Sequence, residues 1–185
     1  MKFYSDAKQD EFVSKILNNK INGIYVDIGS NGSKNSNNSF YFDQNLNWKG
    51  FCIEIDGSYA PSYYDRKNCK LIIANALSID YKRLFEEENI KVIDYLSIDV
   101  DTASLECLNI IPFDIYKAMV ITIEHDAYLY GDLYRSKQRE KLTNSGYELI
   151  CSNVFVEQIG FDKKECPFED WYVHPDFFSK SLIEK

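Results

Sequence analysis

The chain is predicted to fold as an α/β domain, a mainly parallel sheet with helices on both faces. Three observations predict it. Short apolar runs recur along the chain, segments of helical spacing lie between them, and most of the runs close on a polar residue. Parallel strands are buried on both faces and so read as near-continuous apolar runs. Ligands in such sheets bind beyond the carboxyl ends of the strands, so the closing residues Asp27, Glu54, Asn75, Asp99 and Glu124 are the ones to question.

The elements follow in order. Residues 6–19 carry Phe12, Val13, Ile16 and Leu17 at helical spacing. Gly23-Ile24-Tyr25-Val26-Asp27-Ile28 is the first strand. Residues 37–48 read as a helix, and Phe51-Cys52-Ile53-Glu54-Ile55 is the second strand, stopped by Asp56-Gly57. A short helix over 58–66 leads to a third strand at 70–74, and a helix over 79–88 to a fourth at 92–99. A helix over 103–110 ends near Pro112, since the residue before proline leaves the helical region. The fifth strand is 118–124, and a polar-faced helix over 133–145 is closed by Gly146. Residues 147–151 and 154–156 read as a final hairpin-like pair.

At 185 residues the chain fits one domain, 1–185, with little room for a separate substrate domain. A substrate pocket is therefore expected to be closed by a tail at about 166–185, left open, or completed by a partner chain in a homo-oligomer. A net charge of −8 with no local basic cluster disfavours a nucleic-acid substrate and an anionic membrane surface. Five scattered cysteines without a CxxC pair form neither a disulfide framework nor a zinc site. With no signal-peptide pattern and no run of membrane-spanning length, the cytoplasm is the expected location. The 14 Tyr and 12 Phe can build a core, and Tyr can also line a polar pocket.

Chemistry concentrates at the strand ends. In Asp27-Ile28-Gly29-Ser30-Asn31-Gly32, Gly29 permits a sharp turn and close approach of a ligand to the backbone. A dinucleotide loop wants three glycines and no acid beside the phosphates, so this turn suits the aminoacyl end of S-adenosylmethionine better than a pyrophosphate. Glu54 then stands where a carboxylate accepts both ribose hydroxyls, with Asp56 nearby. Asn75, beside Ala76, could meet an adenine edge or simply form a turn. Asp99 and Asp101 follow the fourth strand, and Glu124-His125-Asp126 the fifth. Around one cleft, Asp99 and Glu124 could tune His125 as a general base, or the three could hold a divalent cation such as Mg or Mn. Near the C-terminus, Asp170 and Trp171 could wall an acceptor pocket, binding hydroxyls and stacking on a sugar face, or could merely cap a helix against the body.

Taken together these segments resemble the FkbM-like family of S-adenosylmethionine-dependent methyltransferases. The resemblance runs from Tyr4-Ser5 and Gln9-Asp10 through Asn22 to Gly29, Ser36-Asn37-Asn38, Gly50 to Glu54, and Arg66. It resumes at Asp94 to Asp101, Ile123-Glu124-His125 and Gly146-Tyr147. The sequence departs from the family pattern at Asn38, usually Thr, and at Asp101-Thr102-Ala103-Ser104, where the family often has Glu-Gly followed by a second acid. The resemblance implies a Rossmann-like class I methyltransferase sheet of seven strands, with one antiparallel hairpin among the last, and O-methylation of a hydroxyl on a small molecule or glycan. Candidate cofactor contacts are then Asp27, Gly29, Ser30, Asn31, Asn37, Glu54, Ile55, Asn75, Ala76 and Asp99, and candidate acceptor contacts Asp101, Asp170 and Trp171. The rival readings are a nucleotide-cofactor oxidoreductase of NAD type, a non-catalytic module that binds the cofactor, and a nucleic-acid methyltransferase.

Overall fold

The computed structural model describes residues 2–155 and 166–179. Seven strands form one sheet: β1 Ile24–Ile28, β2 Lys49–Glu54, β3 Cys69–Ile73, β4 Val92–Ile98, β5 Lys117–Glu124, β6 Glu148–Phe155 and β7 Pro167–Val173. Their spatial order is β3-β2-β1-β4-β5-β7-β6. The first five pair in parallel, and β7 runs antiparallel between β5 and β6.

Alternation along the strands divides the core into two layers, because successive side chains point to opposite faces. On one face Val26, Ile28, Ile53, Leu96, Ile98 and Ile121 pack under α3 Tyr81–Glu87, α4 Ser104–Ile110 and α6 Arg135–Asn144. On the other, Tyr25, Cys52, Tyr95 and Val120 pack under α1 Gln9–Ile16 and α2 Phe40–Leu46. This second layer is built from aromatic rings, with Phe42 stacked on Trp48 at 4.6 Å between centroids and edge-on to Tyr95 at 5.6 Å. A short helix, α5 Ala127–Tyr130, follows β5.

Several expected boundaries shift, each for a local reason. α1 starts at Gln9, not residue 6, because the Asp10 carboxylate accepts hydrogen bonds from the Tyr4 amide and the Ser5 hydroxyl and holds those residues in a turn. It ends before Asn18 and Asn19, both left-handed. α2 is shorter than the 37–48 expected, since Asn37 is its cap: Oδ1 accepts the amides of Ser39 and Phe40. Asn47, with φ 53°, closes it.

The expected hairpin-like pair at the end is corrected. Residues 148–155 form one strand, and its partner is β7 rather than its own second half. Ser152-Asn153, which reads as a turn, marks a break in register, a bulge in which the Asn153 amide donates to Asp170 Oδ1 at 2.8 Å. Residues 167–173 are therefore not a tail but an interior strand of the sheet. Val156 and residues 180–185 lie outside the described residues.

Candidate cofactor-binding site

The crevice lies across the carboxyl ends of β1, β2, β3 and β4. It is a cavity of about 380 Å³ whose walls include Gly29, Asn31, Glu54, Ile55, Asn75 and Asp99. That volume lies within the range of small-molecule sites. No side chain of the described chain fills it.

Gly29 makes the floor possible. Its φ is +81°, and a Cβ there would sit 1.7 Å from the carbonyl oxygen of Asp99. The backbone of β1 thus turns directly against the end of β4, with the Gly29 amide donating to Ile53 O at 2.9 Å and the Asp99 amide to Ile28 O at 2.9 Å.

Glu54 is buried at the wall and held from two sides. Oε2 accepts the Asn31 amide at 2.8 Å and Oε1 the Asp56 amide at 2.9 Å. Each carboxylate oxygen has a second lone pair, so a vicinal diol can still be bound. Beside it Ile55 is 68% exposed, an apolar surface at the mouth that a planar base could cover. Asn75 uses its Oδ1 to cap the turn at Ala76–Ser78, accepting the Leu77 amide at 2.9 Å, so its NH2 is the group it can offer to the cavity.

Three expected contacts stand behind the cavity wall. Ser30 Oγ accepts the Tyr63 hydroxyl at 2.8 Å. The Asn37 amide donates to the carbonyls of Ser30 and Gly32, shaping the loop from beneath. Asp27 lies under the turn on the aromatic side of the sheet, fully buried, with neither oxygen accepting a well-aligned hydrogen bond. Burial pushes its pKa up to about 6, with Ser39 and Arg66 opposing the shift.

This carboxyl gives a pH-dependent prediction. The folded chain holds the proton more tightly than the unfolded one, whose value is near 3.8. Stability from this group therefore falls as pH rises from about 4 through about 6. Asp27→Asn should raise stability at pH 7.5 by about 2–3 kcal/mol, at 1.36 kcal/mol per pH unit, and change little at pH 4. Urea denaturation at the two pH values checks it; an equal change at both would refute the assignment.

The loop over the crevice hangs on Arg66, whose part was not visible in the sequence beyond the family resemblance. Its buried guanidinium pairs with Asp43 and donates to Ser33 O, Asn37 Oδ1, Tyr25 Oη and Ser39 Oγ at 2.9–3.2 Å. One cation ties the loop following β1 to α2 and to the sheet.

At the ends of β4 and β5 stand Asp99, Asp101, Glu124 and Asp126. Asp99 and Glu124 follow the paired residues Ile98 and Ile123 at the ends of adjacent strands. Burial pushes both above the ordinary carboxylate range, with the Asp99 charge adding to the shift of Glu124. Asp101 reaches this group through its amide, which donates to Glu124 Oε2 at 2.7 Å, and it also lines the cavity.

The structure does not bring His125 to this cleft. Its ring is fully buried on the opposite side of β5, with Nε2 3.5 Å from Asp170 Oδ1 and Nδ1 accepting the Ala127 amide at 3.1 Å. Among the described residues the carboxylates that converge are Asp101, Glu124 and Asp126, not Asp99, Glu124 and His125. The sequence reading also places Asp170 and Trp171 differently from the structure. Asp170 is buried in β7 and gripped by Arg139 at 2.7 and 3.0 Å; burial works to raise its carboxyl, but His125 and then Arg139 outweigh it and hold the group below the usual range. Trp171 donates to Glu169 and stacks on Phe12 at 4.5 Å, joining β7 to α1. Neither lines the crevice. Glu169, which precedes them, is buried opposite Glu124 in the register, and burial pushes it up to about 8.

The strand order, the reversed seventh strand and a crevice over the Gly29 turn together define the Rossmann-like fold of class I methyltransferases. Solved structures with this fold match over most of the chain. A TehB-like SAM-dependent methyltransferase from Corynebacterium glutamicum superposes with a TM-score of 0.58 at 10% identity, covering 94% of this chain and 89% of that one. A putative rRNA-methylase from Clostridium thermocellum gives 0.57 at 12% identity, covering 94% and 97%. Aeropyrum pernix fibrillarin, solved with natively bound S-adenosyl-L-methionine, gives 0.53 at 14%, covering 91% and 76%. No protein-family model matches the chain, and no curated protein matches it in sequence. No helix among the described residues is long and apolar enough to cross a membrane.

Proposed function

We propose that the protein is an S-adenosylmethionine-dependent methyltransferase of FkbM-like type, acting in the cytoplasm on a hydroxyl of a small molecule or glycan. The observation that carries this is the unfilled crevice over Gly29 with Glu54 poised on its wall. Ribose hydroxyls would lie on Glu54, the base along Ile55 with Asn75 at its edge, and the aminoacyl end over the Gly29 turn above Asp27. A net charge of −8 favours an uncharged acceptor over a nucleic acid.

The sulfonium methyl needs no activation by the protein, which has to hold an acceptor oxygen in line with it. Bound S-adenosylmethionine would supply the activated methyl, its S–CH3 bond giving way to the new O–CH3 bond and leaving a neutral thioether. The hydroxyl proton passes to Asp99, which lines the crevice beside Glu124. Asp99 takes the part that the sequence suggested for His125, on position alone.

Calorimetry with S-adenosylhomocysteine tests the reading. The wild-type chain should bind it. Glu54→Ala, which loses two hydrogen bonds to a charged group at about 1.5–3 kcal/mol each, should weaken binding by on the order of 100-fold or more. Absence of binding by the wild type, or unchanged affinity in the variant, would count decisively against it.

A further inference from the structure

The geometry points to a second site beside the crevice: a divalent cation of the hard, oxygen-preferring kind, held by Asp101, Glu124 and Asp126. One carboxylate oxygen from each residue lies within 4.8 Å of the other two. Oxygens bound to one such ion at 2.0–2.6 Å can be no more than about 5.2 Å apart, so a single ion can meet all three.

A second observation is independent of that clustering. Asp126 is only 5% exposed, turns its carboxylate into the group, and has an Oδ1 with no hydrogen-bond partner. A buried carboxylate oxygen is costly to leave unmatched. Among the described residues none of the three carboxylates forms a salt bridge. The neighbouring imidazole, His125, faces Asp170 instead. The described residues therefore supply no cation of their own.

The donor set chooses the ion. Three carboxylates without sulfur or imidazole suit Mg, Mn or Ca rather than zinc or copper. Asp101 is exposed and lines the cofactor cavity, so the coordination positions left open face the crevice. Resting on the methyl-transfer reading, those positions would take adjacent hydroxyls of the acceptor and orient one of them, which narrows the acceptor class to diols or catechol-like groups.

Titration of the EDTA-stripped protein with Mn(II), followed by calorimetry or by loss of the free-ion paramagnetic signal, tests the site. The wild type should show one saturable site per chain. Asp126→Asn and Asp101→Asn should each weaken it at least tenfold. No saturable binding below about 1 mM, the weak end of carboxylate sites, would overturn the proposal. So would wild-type affinity in both variants. Asp101 is exposed, so its variant keeps the test open if the Asp126 variant does not fold. S-Adenosylhomocysteine binding measured in EDTA reports on the methyltransferase reading separately, and Asp126→Asn should leave that affinity within twofold.

Discussion

Gly29→Ala should destabilise the protein by more than about 3 kcal/mol and abolish S-adenosylhomocysteine binding. Two costs combine. The position requires a left-handed φ of +81°, and the added methyl would lie 1.7 Å from the Asp99 carbonyl oxygen. That oxygen is backbone at the end of a central strand, so it cannot step aside as a flexible side chain could. Relief requires parting β1 from β4, the two strands that form the crevice floor. For a chain of this size a loss of that order lowers Tm by roughly 10 °C. Thermal denaturation with calorimetry checks both parts, and a variant that melts within 2–3 °C of wild type, on the order of 1 kcal/mol, would show that the turn is laxer than the geometry implies.

Arg66→Met should have an effect of similar size by a different route. The change removes the partner of Asp43 and leaves a buried carboxylate without its counter-charge, a situation that costs about 3–5 kcal/mol. Arg66→Lys should rescue little, because an ammonium cannot reproduce the fork that reaches Asp43, Ser33, Asn37, Tyr25 and Ser39 together. The double variant Arg66→Met, Asp43→Leu should recover part of the loss, since it removes the stranded charge. Urea denaturation of the set checks this; equal loss in the single and double variants would mean that the hydrogen bonds, not the ion pair, carry the energy.

The sheet was legible because parallel strands leave little room for polar residues except at their ends. Runs such as Phe51-Cys52-Ile53 and Val120-Ile121-Thr122-Ile123 mark strands, and Glu54 and Glu124 mark where each emerges. The crevice could be read for the same reason: Gly29, Glu54, Asn75 and Asp99 occupy successive strand ends. Side-chain direction carries a further signal. His125 follows Glu124 directly, and neighbours on an extended chain face opposite sides, so the alternation already argued against placing both in one cleft. Asp126, two residues from Glu124, was the better companion.

Other features could not be read from local pattern. Asn153 resembles a turn residue whether it breaks a hairpin or bulges a long strand, and only β7, distant in sequence, decides between them. Asp170 and Trp171 suggest a sugar site by residue type, yet Arg139 and Phe12 occupy them, and neither partner is predictable from spacing. Arg66 is one charged residue in an irregular segment, and its five bonds depend on loops brought together by the whole sheet.

The insertion of β7 between β5 and β6 bears on how the protein is made. During synthesis β6 emerges before the strand that joins it to the rest of the sheet, so it has no docking site until residues 167–173 leave the ribosome. Through that interval β5 presents an unpaired edge, Ile121 and Ile123 included, to anything extended nearby. A nascent chain paused ahead of Pro167 would be the form most prone to associate with itself or with a chaperone.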